Sequence, residues 1–324
     1  MKRREFITFI GGAAAWPLTA RAQQPTSPVV AFIRDGSADA SARLVPAFRK
    51  GLSETVEGQN VTVEYHWVEG QYDRLPALMA DLVRRHVAVI AALSGVPARA
   101  AKAATATIPI VFGVGEDPVK LGLVASLSRP GGNATGINIL ASEVVAKRLR
   151  LLHDLVPKAV RVAALVNPGN ASVTESTLRD VQEAAPTLGL QIQIIEATTI
   201  GEVDAAFTTL VRERADALIV APDALFVGRR VQLAILTARD RIPAIYGVRE
   251  FAEAGGLMSY GPDLADTFRQ VGIYTGRILK GATPAELPVL QSTKFEFVIN
   301  LTASKALGLT VPPALFSIAD EVIE

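Results

Sequence analysis

The 324-residue sequence contains no cysteine, three histidines and two tryptophans. Without cysteine there can be no disulfide, no thiol nucleophile and no thiolate-bound metal centre. His66, His86 and His153 are too scattered to match any metal-ligand spacing. Catalytic signatures are missing too. No Gly-x-Gly-x-x-Gly follows the first β-branched run, so nothing lets the backbone approach a pyrophosphate closely, and there is no Walker loop to cradle phosphates. Ser259 lies in Gly256-Leu257-Met258-Ser259-Tyr260-Gly261, which is not a nucleophile elbow, and no histidine follows it. These absences argue against an enzyme and against a bound cofactor or metal.

Long apolar runs are also lacking, and none is long enough to span a bilayer. The run at residues 6–16 is short, follows Lys2, Arg3 and Arg4, and precedes Ala20-Arg21-Ala22. This order predicts an export signal over residues 1–22, cleaved before Gln23. Arg3-Arg4 with Phe6 and Ile7 resembles a twin-arginine signal, and ordinary secretion stays open beside it. With no cysteine behind the run there is no site for a lipid anchor, so the expected location is the Gram-negative periplasm. The net charge of +1 belongs to the whole chain. Loss of Lys2, Arg3, Arg4, Arg21 and Glu5 would leave about −2, which speaks against nucleic acid or direct insertion into an anionic membrane. A monomer is expected.

What the sequence does have is 49% hydrophobic residues, ample for a large core, arranged as short β-branched runs alternating with helix-length segments. The pattern occurs twice. Strands are expected at 29–33, 61–65, 87–91 and 108–112, then at 161–166, 191–195, 217–220 and 243–246, with similar spacing in both sets. Helices are expected at 41–54, 73–85, 97–106, 172–188, 202–214, 226–239 and 264–279, and a closing strand at 295–300. The fold class is α/β, two Rossmann-like parallel-sheet lobes joined by a multi-strand hinge. The expected division gives residues 26–138 with 256–288 to one lobe and 139–255 with 289–324 to the other.

Open parallel sheets bind ligands beyond the carboxyl ends of their strands. Those ends carry Arg34-Asp35-Gly36-Ser37, Ser94-Gly95-Val96-Pro97, Gly113-Val114-Gly115-Glu116-Asp117, Asn167-Pro168-Gly169-Asn170, Ala221-Pro222-Asp223 and Tyr246-Gly247. Each candidate has a structural reading beside the functional one. Ser94 and Gly95 could clamp a carboxylate at a helix start, or simply begin that helix. Asp223 could pair with a ligand ammonium or cap a helix. Asp35 joins the strand-end acids, while Glu116 and Asp117 could bind or cap. Asn167 could bond the ligand or shape its turn. Tyr246, Tyr260 and Phe226 could stack on an aromatic ligand, or pack in cores as most aromatics do.

Several segments resemble one known family. They are Arg74-Leu75-Pro76, the run from Ala103 through Ile108-Pro109-Ile110-Val111-Phe112, Asp117-Pro118-Val119, Leu127-Ser128-Arg129-Pro130-Gly131-Gly132-Asn133, Thr135-Gly136, Lys147-Arg148-Leu149, Ala254-Gly255-Gly256-Leu257-Met258-Ser259-Tyr260-Gly261 and Thr293-Lys294-Phe295-Glu296. Together they are similar to the ABC transporter substrate-binding family that includes tryptophan- and tyrosine-binding members. The resemblance implies a type I periplasmic-binding fold whose lobes close on a small-molecule ligand, possible ligands being an amino acid or an aromatic compound. It also implies an ABC permease as partner, and binding groups from Ser94 to Ala98, Glu116, Asp117, Asn167 and Asp223. Many relatives carry Thr where this chain has Val96, which removes one hydroxyl from the supposed carboxylate clamp. An exported sensing module for a receptor kinase is the alternative.

Overall fold

The computed structural model describes residues 27–56, 60–139 and 141–324, so the expected export signal lies outside the described residues. Among the described residues thirteen strands form, at β1 (Val29–Arg34), β2 (Thr62–Trp67), β3 (Val89–Ala92), β4 (Ile110–Val114), β5 (Ala134–Asn138), β6 (Arg161–Val166), β7 (Gln191–Glu196), β8 (Ala217–Val220), β9 (Ala244–Tyr246), β10 (Met258–Pro262), β11 (Leu290–Gln291), β12 (Phe295–Asn300) and β13 (Glu321–Ile323). The inner strands are mostly apolar because helices cover both faces; Val30, Ala31, Phe32 and Ile33 are all fully buried. Edge strands β2 and β7 are part exposed and carry Glu64, Gln193 and Glu196, charges and amides that discourage pairing with another chain.

Two sheets result. The first has six parallel strands in the order β11-β5-β4-β3-β1-β2. The second has seven in the order β13-β12-β10-β9-β8-β6-β7, parallel except where β12 runs against β10. Within them β2-β1-β3-β4-β5 and β7-β6-β8-β9-β10 repeat one order, as the duplicated spacing predicts. Each sheet has a hydrophobic cluster on both faces, and the strand order reverses beside the first strand of each unit, which opens a crevice there.

The lobes exchange a helix. After β5 the chain enters the helix Ala141–Leu155, whose Val145, Leu149 and Leu152 join the core of the second sheet. After β10 it enters the helix Leu264–Leu279, whose Phe268, Val271 and Tyr274 join the core of the first. A third crossing lies between β11 and β12, completing the hinge.

Two expected boundaries move. Residues 256–262 were assigned to the first lobe, yet β10 hydrogen-bonds between β9 and β12 in the second sheet. The Gly255-Gly256 pair just before β10 ends the helix Glu250–Glu253, where Gly255 takes a left-handed φ of 97° that an L side chain resists. Residues 289–291, assigned to the second lobe, place β11 on the edge of the first sheet beside β5. The helix Ala141–Leu155 was not anticipated, although Val144, Val145, Leu149, Leu152 and Leu155 recur at helical spacing. The segment expected as one helix over 226–239 is two, Ala224–Gly228 and Arg230–Arg239. Among the described residues no helix is long and apolar enough to cross a membrane.

The helices Leu44–Thr55 and Leu264–Leu279 approach closely because Gly51 and Gly272 face each other's backbones. A Cβ at Gly51 would meet the Arg269 carbonyl, and one at Gly272 the Phe48 carbonyl. Gly51→Ala should therefore cost about 2 kcal/mol in urea unfolding through overpacking; an unchanged midpoint would refute this helix contact.

Candidate functional site

The carboxyl ends of the two sheets face each other across a cavity of about 180 Å³. Leu93, Val144, Val145, Val173, Val227, Val248, Leu264 and Phe268 give it mostly apolar walls. Charged groups reach it from both lobes.

Asp223 follows β8 and caps the short helix Ala224–Gly228, accepting the Leu225 backbone N–H at 2.9 Å. The Asn167-Pro168-Gly169-Asn170 loop after β6 presents two side-chain amides to the same carboxylate. Asn167 Nδ2 donates at 2.9 Å and Asn170 Nδ2 at 3.0 Å, and Asn167 Oδ1 is held by the Gly169 N–H at 2.9 Å. At 2% exposure Asp223 is thus buried, oriented and without an ion-pair partner among the described residues. From the first lobe come Asp35, after β1, and Glu116, after β4. Glu116 Oε1 accepts the Ser172 hydroxyl at 2.8 Å, a hydrogen bond between the lobes, and its backbone carbonyl is held by Asn138 Nδ2 at 2.8 Å. Burial raises the Asp35 carboxyl to about 6, and Asp223 and Glu116 push it the same way against the pull of Arg34. A fourth acid, Asp180, lines the cavity but is paired with Arg179 at 3.3 Å.

Two guanidiniums also line the cavity. Arg34 donates to the Ala40 carbonyl at 3.0 Å and Ser41 Oγ at 2.7 Å, and lies 5.3 Å from the centre of the Phe268 ring. Arg148 sits on the helix Ala141–Leu155 at 3% exposure, with Nε on the Tyr260 carbonyl at 2.6 Å and Nη2 on the Gly247 carbonyl at 3.4 Å. Burial lowers its pKa to about 10.

Comparison with known proteins agrees with this geometry. The sequence matches the family described as ABC transporter substrate binding protein over residues 29–323. The chain belongs to that family. It is 27% identical over 271 residues to the tyrosine-binding protein of Clostridioides difficile (strain R20291), covering 81% of this chain and 76% of that one. Among solved structures, it is similar to the ABC domain from Streptococcus pneumonia in complex with L-Trp, with a TM-score of 0.83, 22% identity and coverage of 92% of this chain and 100% of that one. It is also similar to a conserved domain protein from Vibrio cholerae, with a TM-score of 0.82, 26% identity and the same coverage. The chain is therefore a substrate-binding protein of the ABC type and not an enzyme.

In this substrate-binding protein the residues singled out from sequence separate into two groups. Asp35, Ser94, Gly95, Glu116 and Asp223 line the cavity, and Asn167 stands directly behind Asp223. Asp117 does not line it: exposed, it caps the following turn by accepting the Val119 N–H at 2.9 Å and the Lys120 N–H at 3.3 Å. Tyr246 is fully buried in the second lobe, stacked on Phe251 at 4.3 Å and hydrogen-bonded to Thr237, so no ligand can reach its ring. The Tyr260 ring packs with Phe295 and Phe297 and contributes to the site through its carbonyl, on Arg148. Phe226 is core as well. At Gly95 the carboxylate of Glu116 lies where a Cβ would stand, so the helix start that could have clamped a ligand carboxylate already faces an acid. Sequence reasoning missed Arg34, Arg148 and Asn170 as site residues. Asn170 and Arg34 lie in the strand-end loops, and Arg148 falls on the buried stripe of the helix Ala141–Leu155, between Val145 and Leu152.

Since native Asp35 holds its proton up to about pH 6 and an unfolded aspartate only to about 3.8, this group's stabilisation falls as pH rises through that window. Relative to D35N, the ligand-free protein should lose roughly 2 kcal/mol between pH 4 and pH 7 in chemical denaturation. Equal pH dependence in the two proteins would show that Asp35 titrates normally.

Proposed function

We propose that this protein is the periplasmic binding component of an ABC import system and captures an amino acid between its lobes. One observation carries the choice of ligand: Asp35 and Glu116 from one lobe and Asp223 from the other converge on the cavity, Arg34 pulls on Asp35 alone, and none of the three forms a salt bridge among the described residues. A ligand ammonium supplies the missing cation and three N–H donors. The apolar walls take the ligand's side chain, a division of labour typical of small-molecule sites. The names of the relatives support the same class, one being tyrosine-binding and another holding L-Trp. The export-signal pattern at residues 1–22 supports the compartment.

In this mechanism the ligand binds the open lobes and its ammonium draws the acids together, so that the closed form is the liganded one. The closed form then docks on the permease. A thermal-shift screen of the twenty amino acids should raise the melting point with at least one of them. For that amino acid D223N should weaken binding by about 2–4 kcal/mol in calorimetry, because a buried charge pair loses one partner. Full affinity in D223N would remove Asp223 from the ammonium site.

A further inference from the structure

Arg148 is a buried charge with no acidic partner among the described residues. Its two hydrogen bonds go to backbone carbonyls, which orient a guanidinium but do not neutralise it. Gly247 lies close against it, and a Cβ there would approach Nη2 at 2.9 Å, whereas at Gly261 it is the Gly247 carbonyl that leaves no room for a side chain. The helix start at Ser94-Gly95, the other place for an anion, is faced by the Glu116 carboxylate. Like charges exclude a second carboxylate there.

We propose that Arg148 is the carboxylate anchor of the cleft, binding the acid group of the ligand with its planar fork. Resting on the amino-acid reading above, this assigns the ligand's anionic end to the second lobe. It also links capture to the hinge. Arg148 lies on the helix that follows the first crossing, and its Nε is held by Tyr260, two residues before the end of β10 and the second crossing. An anion drawn to Arg148 is therefore held by both crossing segments at once.

The test is calorimetry with three probes on the wild type: the amino acids, their carboxamides, and benzoate and phenylacetate as carboxylates without an amine. For an amino acid that binds, its carboxamide should bind about 100-fold more weakly to the wild type, while R148M should bind acid and amide alike. That lost discrimination is the signature of a direct contact, which a merely structural arginine would not produce. R148K, which keeps the charge without the fork, should retain part of the preference. If R148M does not fold, R148K and the acid-to-amide comparison on the wild type decide alone. An amino acid bound with equal acid-to-amide preference in wild type and in R148M or R148K overturns the anchor and leaves the amino-acid reading standing. Binding of benzoate or phenylacetate alone, abolished by either substitution, supports the anchor and overturns the amino-acid reading. No binding by any probe overturns both.

Discussion

Closing two lobes over charged groups takes those groups out of water, and this desolvation governs the molecule. Asp35, Glu116 and Asp223 meet in the cleft, where only Arg34 acts on Asp35 from within and no salt bridge forms to any of the three among the described residues, while Arg148 sits among the walls with only backbone carbonyls as hydrogen-bond partners. Each alone would destabilise the closed form, since an unpaired buried charge costs several kcal/mol. The protein offsets part of that locally: three N–H groups serve Asp223, the Ser172 hydroxyl serves Glu116, and two carbonyls serve Arg148. What remains is a demand for outside charges of both signs. In the proposed mechanism the ligand brings them.

The scaffold makes that demand act on the whole chain. Both lobes share one strand order, and each is completed by a helix reached through a crossing from the other. Pulling the lobes apart as independent bodies would strip Phe268 and Val271 from one core or Leu149 and Leu152 from the other. The low-cost motion is bending at the three crossings. At the outer rim, Asp39 meets Arg230 at 2.8 Å and Arg43 meets Glu253 at 2.7 Å across the lobes. These pairs are solvated, and exposed ion pairs contribute at most about 1 kcal/mol each.

Much of the architecture was legible before any coordinates. All eight duplicated strands lie within two residues at each end of their expected positions, because short runs rich in β-branched residues between helix-length segments are readable without their neighbours. The helix Leu264–Leu279 and the strand Phe295–Asn300 match their expected bounds for a related reason, a strong amphipathic stripe in one and β-branched alternation in the other. The lobe boundaries did not, since which sheet β10 and β11 join is decided by their pairing with β9, β12 and β5 and not by their own residues.

The sequence alone determined which loops end the strands, and therefore that Asp35, Ser94, Gly95, Glu116, Asn167 and Asp223 would gather on the cleft side, because sheet polarity sends every carboxyl end the same way. It could not tell a cap from a ligand: Asp117 and Asp223 both follow strands and both cap, yet one turns to solvent and the other into the cavity. Nor could it say whether an aromatic ring faces a ligand or a core, which is why Tyr246 was misplaced. Arg148 became a site residue only when Tyr260 and Gly247, roughly a hundred residues further along the chain, were brought against it. Burial and pairing of a charge depend on every element packed around it, and that is a property of the tertiary structure.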